Sequence, residues 1–569
     1  MNPIRLLLTA VLVLSGPSCL NAKTPKWFKN ASNSTVQVVT YKNGTEIGRS
    51  TGFFTSAEGT CVSDYMIFVG ADSAVTVSRD GRIRPVTLIS GASSMYETIR
   101  FNAVPDKKLK NVSVTHVRAL ENTTASIVPF QGKGKTGPIQ ASIAAVSAID
   151  SDCSYYKLDI PYDSLFKGCP VIDEDGSCIG IVQAGSNGDK FTYVLDANYP
   201  ILLSPSAADL LDRCYTDIRI RHTLPLDEDQ ALAYVYIRND ISSEEYKRLL
   251  DQFMEQFPDS PDGLFNYGAF ILSEQSMESG IDAAAISKGE EYIMKAIEKS
   301  DDKGRFYCDY ASLLIENIKL SGNSSEDSQP IMEKALGEVE KAIEIKNEPA
   351  YVRLKANILY SMKRYSDAYD CADMINKSDI ASAETYLFAY EISRKLDNLD
   401  LSIELLDSVI AKSPKPISQK AVALILERGN LKDDAGRYRE AVQDYMAVES
   451  ATIGSLPARY YLAREQIEIK ARMYEPALAD IARARELEPE NLDYALEHAS
   501  LHLRVGQAEN ALEILKELVV KLPDDPDVQR LAGISYLRVG DKENACEHLS
   551  LARMLGDELV EQIIEQNCK

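Results

Sequence analysis

Ala477, Ala511 and Ala545 stand 34 residues apart, and the same interval separates Ile481, Leu515 and Leu549, then Ala484, Leu518 and Ala552. Pro489 and Pro523 follow at that spacing. A period of this length constrains the architecture more tightly than local propensity does, because each unit must bury its apolar face on the next. Within a unit a small residue, Ala499 or Gly533, precedes the recurring alanine by twelve positions. Small residues at both places let two amphipathic helices approach closely across a polar turn, and the proline stops the second helix.

These features resemble the tetratricopeptide repeat, and copies can be followed towards the N-terminus. Gly429 to Ala441 and Ala356 to Ala368 keep the twelve-residue spacing, and Tyr390 to Ser402 is a less complete copy. Ala311 with Ala335 and Gly268 with Gly289 are stretched by polar inserts, one of them at Ser321–Gln329, and Ser242 to Pro258 reads as a further second helix. About eight units then cover residues 226–569. Glu465 and Glu468 fall where the pattern has a small and an aromatic residue, so that helix is expected to be offset. The resemblance implies a solenoid whose concave face binds protein or peptide partners.

The chain carries 62 Lys+Arg against 85 Asp+Glu, a net −23, a balance that repels phosphate backbones and anionic headgroups; nucleic acid is not an expected partner. The charge is unevenly placed. Residues 1–205 hold 19 basic and 17 acidic side chains, and residues 206–569 hold 43 and 68. Composition changes around Ser204-Pro205-Ser206, so 206–225 is expected to be a linker between an N-terminal domain, 23–205, and the helical array.

Residues 1–22 have the parts of a secretory signal: Arg5, an apolar stretch from Leu6 to Leu14, a Gly16-Pro17 break and a small residue, Ala22, before the cut. The alternative is a lipoprotein signal with Cys19 acylated, but Gly16-Pro17-Ser18 lacks the usual aliphatic residue. No later stretch is apolar enough to span a membrane. The expected location is therefore outside the cytoplasm, periplasmic or at the cell surface. Nine cysteines remain after cleavage, without a CxxC pair, so no zinc site is expected and disulfide connectivity stays open. No phosphate loop, HExxH or calcium loop implies a cofactor.

Residues 30–205 read as an all-β domain: Val36-Gln37-Val38-Val39, Phe53-Phe54, Val75-Thr76-Val77, Val112-Ser113-Val114 and Ile179-Gly180-Ile181-Val182 are short β-branched or aromatic runs separated by turn residues. The stretch Gly52-Phe53-Phe54 through Val62-Ser63-Asp64-Tyr65-Met66-Ile67-Phe68 resembles, in register, the G-x-F-F…V-T-N-Y-H-V-F segment of chymotrypsin-like peptidases, particularly bacterial secreted ones. Asp80-Gly81-Arg82 and Met95 to Phe101 resemble the strands leading to the family's acidic residue. Phe166-Lys167-Gly168-Cys169-Pro170-Val171 resembles its nucleophile loop. The resemblance implies a chymotrypsin-like double β-barrel.

Acyl transfer on that fold needs a hydroxyl nucleophile, a histidine to take its proton and a carboxylate to orient the histidine. At the matching positions this chain has Lys167, Met66 and Glu97, and His116 is the only histidine between residues 23 and 205. Met66 cannot accept a proton and an ammonium is not an acyl acceptor. Three alternatives stand beside loss of catalysis. Cys169, two residues on, is a candidate thiol nucleophile, against a structural or disulfide role with Cys61, Cys153 or Cys178. Lys167 is a candidate lone base or partner of Glu97. The Gly168-Cys169 loop is a candidate oxyanion hole, and Met66→His with Lys167→Ser is the route to restored turnover that the sequence suggests. The reading is an exported scaffold combining an inactive protease-like domain with a partner-binding array; the alternative is a divergent serine or cysteine endopeptidase whose repeats recruit substrate.

Overall fold

The computed structural model describes residues 25–130, 137–238, 240–277, 282–321, 328–414 and 418–568. The leader, with Cys19 and Ala22, and most of the Ser321–Gln329 insert lie outside the described residues. The chain divides into two compact units, 1–270 and 271–569. No helix among the described residues is long and apolar enough to cross a membrane.

The first unit contains two closed six-stranded antiparallel barrels, the chymotrypsin-like architecture expected. Strands β1 (Thr35–Lys42), β2 (Thr45–Phe54), β3 (Thr60–Asp64), β4 (Ser73–Val77), β5 (Ile83–Ser93) and β6 (Thr98–Ala103) close in the order β1-β2-β3-β6-β5-β4. Strands β7 (Thr124–Ile127), β8 (Ile139–Ala148), β9 (Ser154–Leu158), β10 (Pro170–Ile172), β11 (Cys178–Val182) and β12 (Thr192–Asp196) close in the order β10-β11-β12-β9-β8-β7. Asn43-Gly44 joins β1 to β2 with both residues at positive φ, the turn whose twist suits a two-residue hairpin. Two expected strand segments differ. Val112-Ser113-Val114 makes only a single bridge, Val114 to Cys178, and Asp80-Gly81-Arg82 is a turn closed by the Ser78 amide on the Arg82 carbonyl.

The stretch 206–225, read from sequence as a linker, is packed structure. His222 bridges Ile89 of β5 in parallel, with Ile89 N–H on the Arg221 carbonyl and Thr223 N–H on the Ile89 carbonyl, both at 2.8 Å. The Tyr215 hydroxyl accepts the Ala92 N–H at 2.9 Å. Leu210, Ile218, Ile220 and Leu224, then Ala231, Val235, Leu250 and Phe253 from the helices Glu228–Ile237 and Ser243–Gln256, share one buried core with Val36, Phe54, Ile89 and Phe101 of the first barrel. Arg100 on β6 donates to the carbonyls of Ser90 and Leu203, 2.9 and 2.6 Å away, fastening the segment that leads out of the second barrel.

In the second unit helices pack in successive pairs, and each pair packs on the next, from Lys303–Ser321 with Gln329–Ile345 to Pro526–Val539 with Lys542–Met554. The twelve-residue spacing is explained by contact: a Cβ added to Gly533 would sit 2.6 Å from Leu549 Cγ, and one added to Gly429 would sit 3.2 Å from the Asp444 and Tyr445 side chains. Two arginines, Arg464 buried and Arg428 partly so, join neighbouring pairs. Arg428 holds Asp444 in its own pair and, at 2.6 Å, Asp407 in the preceding one. Arg464 repeats this with Asp480 and, at 2.6 Å, Glu449. A disulfide, Cys546–Cys568, ties the terminal helix Glu561–Asn567 to the last pair.

A fragment ending at residue 205 would strip the 206–256 layer from the first barrel and expose Val36, Ile89 and Phe101. We expect residues 23–270 to melt cooperatively and 23–205 to melt at least ~10 °C lower or to aggregate, since several large apolar side chains each lose about 1.5–3 kcal/mol of burial. Equal melting of the two fragments by circular dichroism would show the layer to be dispensable.

Candidate functional site

The first barrel delivers Asp64, Tyr65, Met66 and Glu97, and the second delivers Lys167. Strand β3 ends at Asp64, paired with Thr98 at the start of β6, so Glu97 is held beside the strand end. The Tyr65 N–H donates to the Glu97 carbonyl at 3.1 Å. Glu97 itself takes φ +44°, a left-handed conformation that a non-glycine residue holds only when its surroundings impose it. Met66 opens the one-turn helix Met66–Phe68 with half of its surface exposed, and its N–H donates to Asp64 Oδ1 at 3.1 Å.

Lys167 follows the one-turn helix Ser164–Phe166, and Gly168 shapes the loop behind it. Gly168 has φ +75°, and a Cβ there would lie 2.2 Å from the Thr51 carbonyl oxygen, so the loop reaches β2 only with glycine at this place. The Lys167 ammonium sits 2.8 Å from Asp64 Oδ2. Asp64 is 3% exposed and Lys167 29%, so the pair crosses between the barrels with its anionic end buried. Lys167 and Met66 thus meet at Asp64, a carboxylate that the resemblance does not single out, while Glu97 adjoins them through its backbone carbonyl. The ion pair considered for Lys167 with Glu97 is replaced by this one. Glu97 instead lines an open cavity of about 560 Å3 with Met95, Tyr96, Tyr155 and Gln183.

The backbone donors of the loop are engaged. Leu165 N–H donates to Asp163 Oδ1 at 2.9 Å and Lys167 N–H to the Ser164 carbonyl at 3.4 Å. The Gly168 amide donates to the Val182 carbonyl and the Cys169 amide to the Phe166 carbonyl, each at 2.9 Å. The oxyanion hole considered for Gly168-Cys169 is therefore not formed, because those amides complete the loop's own hydrogen bonds.

Cys169 has no exposed surface; its thiol donates to the Leu165 carbonyl at 3.3 Å, and burial pushes its pKa up to about 12. A thiol held this way is inert, since the thiolate is the nucleophile. Burial likewise pushes Cys178 up to about 12 and Cys153 up to about 11, and raises Cys61 further. The disulfide considered for Cys169 does not form; all four of these cysteines are free. Among the described residues no cluster of His, Cys, Asp and Glu could hold a metal ion.

No family model and no curated protein sequence matches the chain. Among solved structures it is similar to "HtrA-type protease AlgW with decapeptide", with 15% identity over 31% of this chain and 64% of that one at a TM-score of 0.26. It is also similar to the serine endoprotease from Yersinia pestis, with 14% identity over 34% and 66% and a TM-score of 0.27. The matched stretch thus spans under two thirds of those chains.

The buried end of the Lys167–Asp64 pair gives a stability test. Lys167→Ala should lower the unfolding free energy of the barrel unit by about 2 kcal/mol by leaving the Asp64 carboxylate with only the Met66 amide, and Asp64→Asn added to it should recover most of that loss. Fluorescence of Trp27, the one tryptophan of the chain, reads this transition in the full-length protein. Additive losses in the double variant would mean that the two groups do not interact.

Proposed function

We propose that this chain is an exported protein-binding scaffold, in which a protease-like double barrel without catalysis is followed by a tetratricopeptide array that binds protein or peptide partners. The observation that carries the reading is the Lys167–Asp64 pair: where a hydroxyl and its base would have to meet, the chain has a salt bridge. Met66 offers no proton acceptor beside it, and the neighbouring amides are bonded within the loop. For the array, support comes from the register of small residues and from the successive packed helix pairs. Helical arrays of this kind present an extended surface built from the first helix of each pair. The Cys546–Cys568 disulfide and the leader-like first residues favour export, where thiols are oxidised.

The purified full chain should not cleave casein or activated esters above background. Lys167→Ser with Met66→His, the pair suggested by the sequence, should still fall short, because the Gly168 and Cys169 amides would have to leave the Val182 and Phe166 carbonyls before they could hold an oxyanion. Losing such donors costs on the order of 10²–10³ in turnover. Wild-type hydrolysis that survives both Lys167→Ala and Met66→Ala would favour the divergent-peptidase reading with a site elsewhere. Hydrolysis abolished by Cys169→Ala would assign it to that thiol.

A further inference from the structure

Glu465 and Glu468 do not shift their helix out of register as the sequence led us to expect. The helix Ala458–Lys470 keeps its place against Tyr474–Leu487, and the two carboxyl side chains occupy the buried positions of the repeat. Glu465 has no exposed surface and Glu468 is 3% exposed. Neither oxygen of Glu465 has a hydrogen-bond partner, nor does Oε2 of Glu468. The charged groups that act on them come from every neighbouring helix. On their own helix stands Arg464, on Tyr474–Leu487 stands Asp480, and on Leu492–Arg504 stand Glu497 and Arg504. From Tyr438–Ala451, Glu449 reaches Arg464.

The cations are already committed or too far to compensate. Arg464 places its guanidinium on Asp480, with 2.6 Å from Nη2 to Oδ1, and on Glu449, while its closest approach to Glu468 is 4.0 Å. Arg504 acts on Glu465 without a close ion pair. Ionising both glutamates would place two further negative charges beside Asp480 and Glu497, in a space from which water is excluded. Burying an unpaired carboxylate costs several kcal/mol, so such a group takes up a proton instead.

We propose that the joint formed by the helices Ala458–Lys470, Tyr474–Leu487 and Leu492–Arg504 is a proton-operated switch, packed closed while Glu465 and Glu468 are uncharged and loosened when they ionise. Burial, reinforced by Glu497 on Glu465 and by Asp480 on Glu468, pushes both carboxyls up to about 8 from an ordinary 4.5. The folded joint therefore holds protons that the unfolded chain releases. The stability they contribute is complete below about pH 4.5, declines as the pH rises, and is gone above about pH 8. The ladder of helix pairs has its weakest step here under alkaline conditions, because each pair is stabilised by its neighbours.

Hydrogen exchange of the full-length protein, corrected for intrinsic rates, tests this directly. Between about pH 6 and about pH 9, protection of residues 458–504 should fall roughly tenfold or more relative to the pairs at 349–376 and 526–554. Glu465→Ala with Glu468→Leu, which restores a small and an apolar residue, should remove the difference. Glu465→Gln and Glu468→Gln, each isosteric with the protonated acid, should each reduce it. If protection of 458–504 changes no more than that of the control pairs, the switch is refuted, whether or not the variants fold. A pH response that persists undiminished in a folded Ala/Leu variant refutes it as well.

Discussion

Asp64 sits at the end of a first-barrel strand with almost no exposed surface, and a carboxylate in such a place must find a cation or lose its charge. Lys167, delivered by a loop of the second barrel, supplies the cation. The consequences reach outward from this contact. The loop that carries the lysine is bonded to itself through Asp163, Ser164 and Phe166, and to Val182 of β11. A charge pair thus joins the two barrels, with Asp64 contributed by the first and Lys167 by the second.

The helical unit solves a similar electrostatic problem in two different ways. Arg464 is buried and Arg428 partly so, and each holds one carboxylate in its own pair and one in the pair before, so the charge is compensated and the pairs are tied together. Glu465 and Glu468 are buried without that compensation and are neutralised by protons instead. Buried ionic groups stabilise little in themselves, but they penalise arrangements that leave them unpaired. The arginines therefore hold the register of the pairs, while the glutamates make one joint conditional on pH.

Much of the fold is legible in the sequence. The order of the β-branched runs and the Gly52-Phe53-Phe54 and Gly168-Cys169-Pro170-Val171 landmarks indicate the two barrels, and the spacing from Ala356 to Ala545 indicates which helix faces meet. Val112-Ser113-Val114 misleads because a short run with two valines is compatible with any extended segment, and only the neighbouring strands decide whether it joins a sheet. The packed 206–225 stretch escaped because its apolar residues, Leu210, Tyr215, Ile218, Ile220 and Leu224, are spread thinly among charges, although the Ile218/Ile220 alternation was a usable sign. Asp64 was missed at the site for a more instructive reason. The informative change is a joint one that no single triad position shows: an acid, Asp64, stands where the pattern has asparagine, together with Lys167 where it has serine. The repeat pattern places Glu465 and Glu468 at core positions, but two acids on one helix face ordinarily signal solvent, so the sequence favours an offset helix over buried carboxyls.

The claim that the barrel has no competent nucleophile is tested most directly by intact-mass analysis of the full-length protein after exposure to a serine-directed fluorophosphonate and, separately, to a thiol-directed alkylating probe under native conditions. We predict no phosphonylated species, and no alkylation within residues 23–270 at Cys61, Cys153, Cys169 or Cys178 until the barrels are unfolded. Stoichiometric phosphonylation of a serine in this unit, or rapid native alkylation of Cys169, would contradict the account.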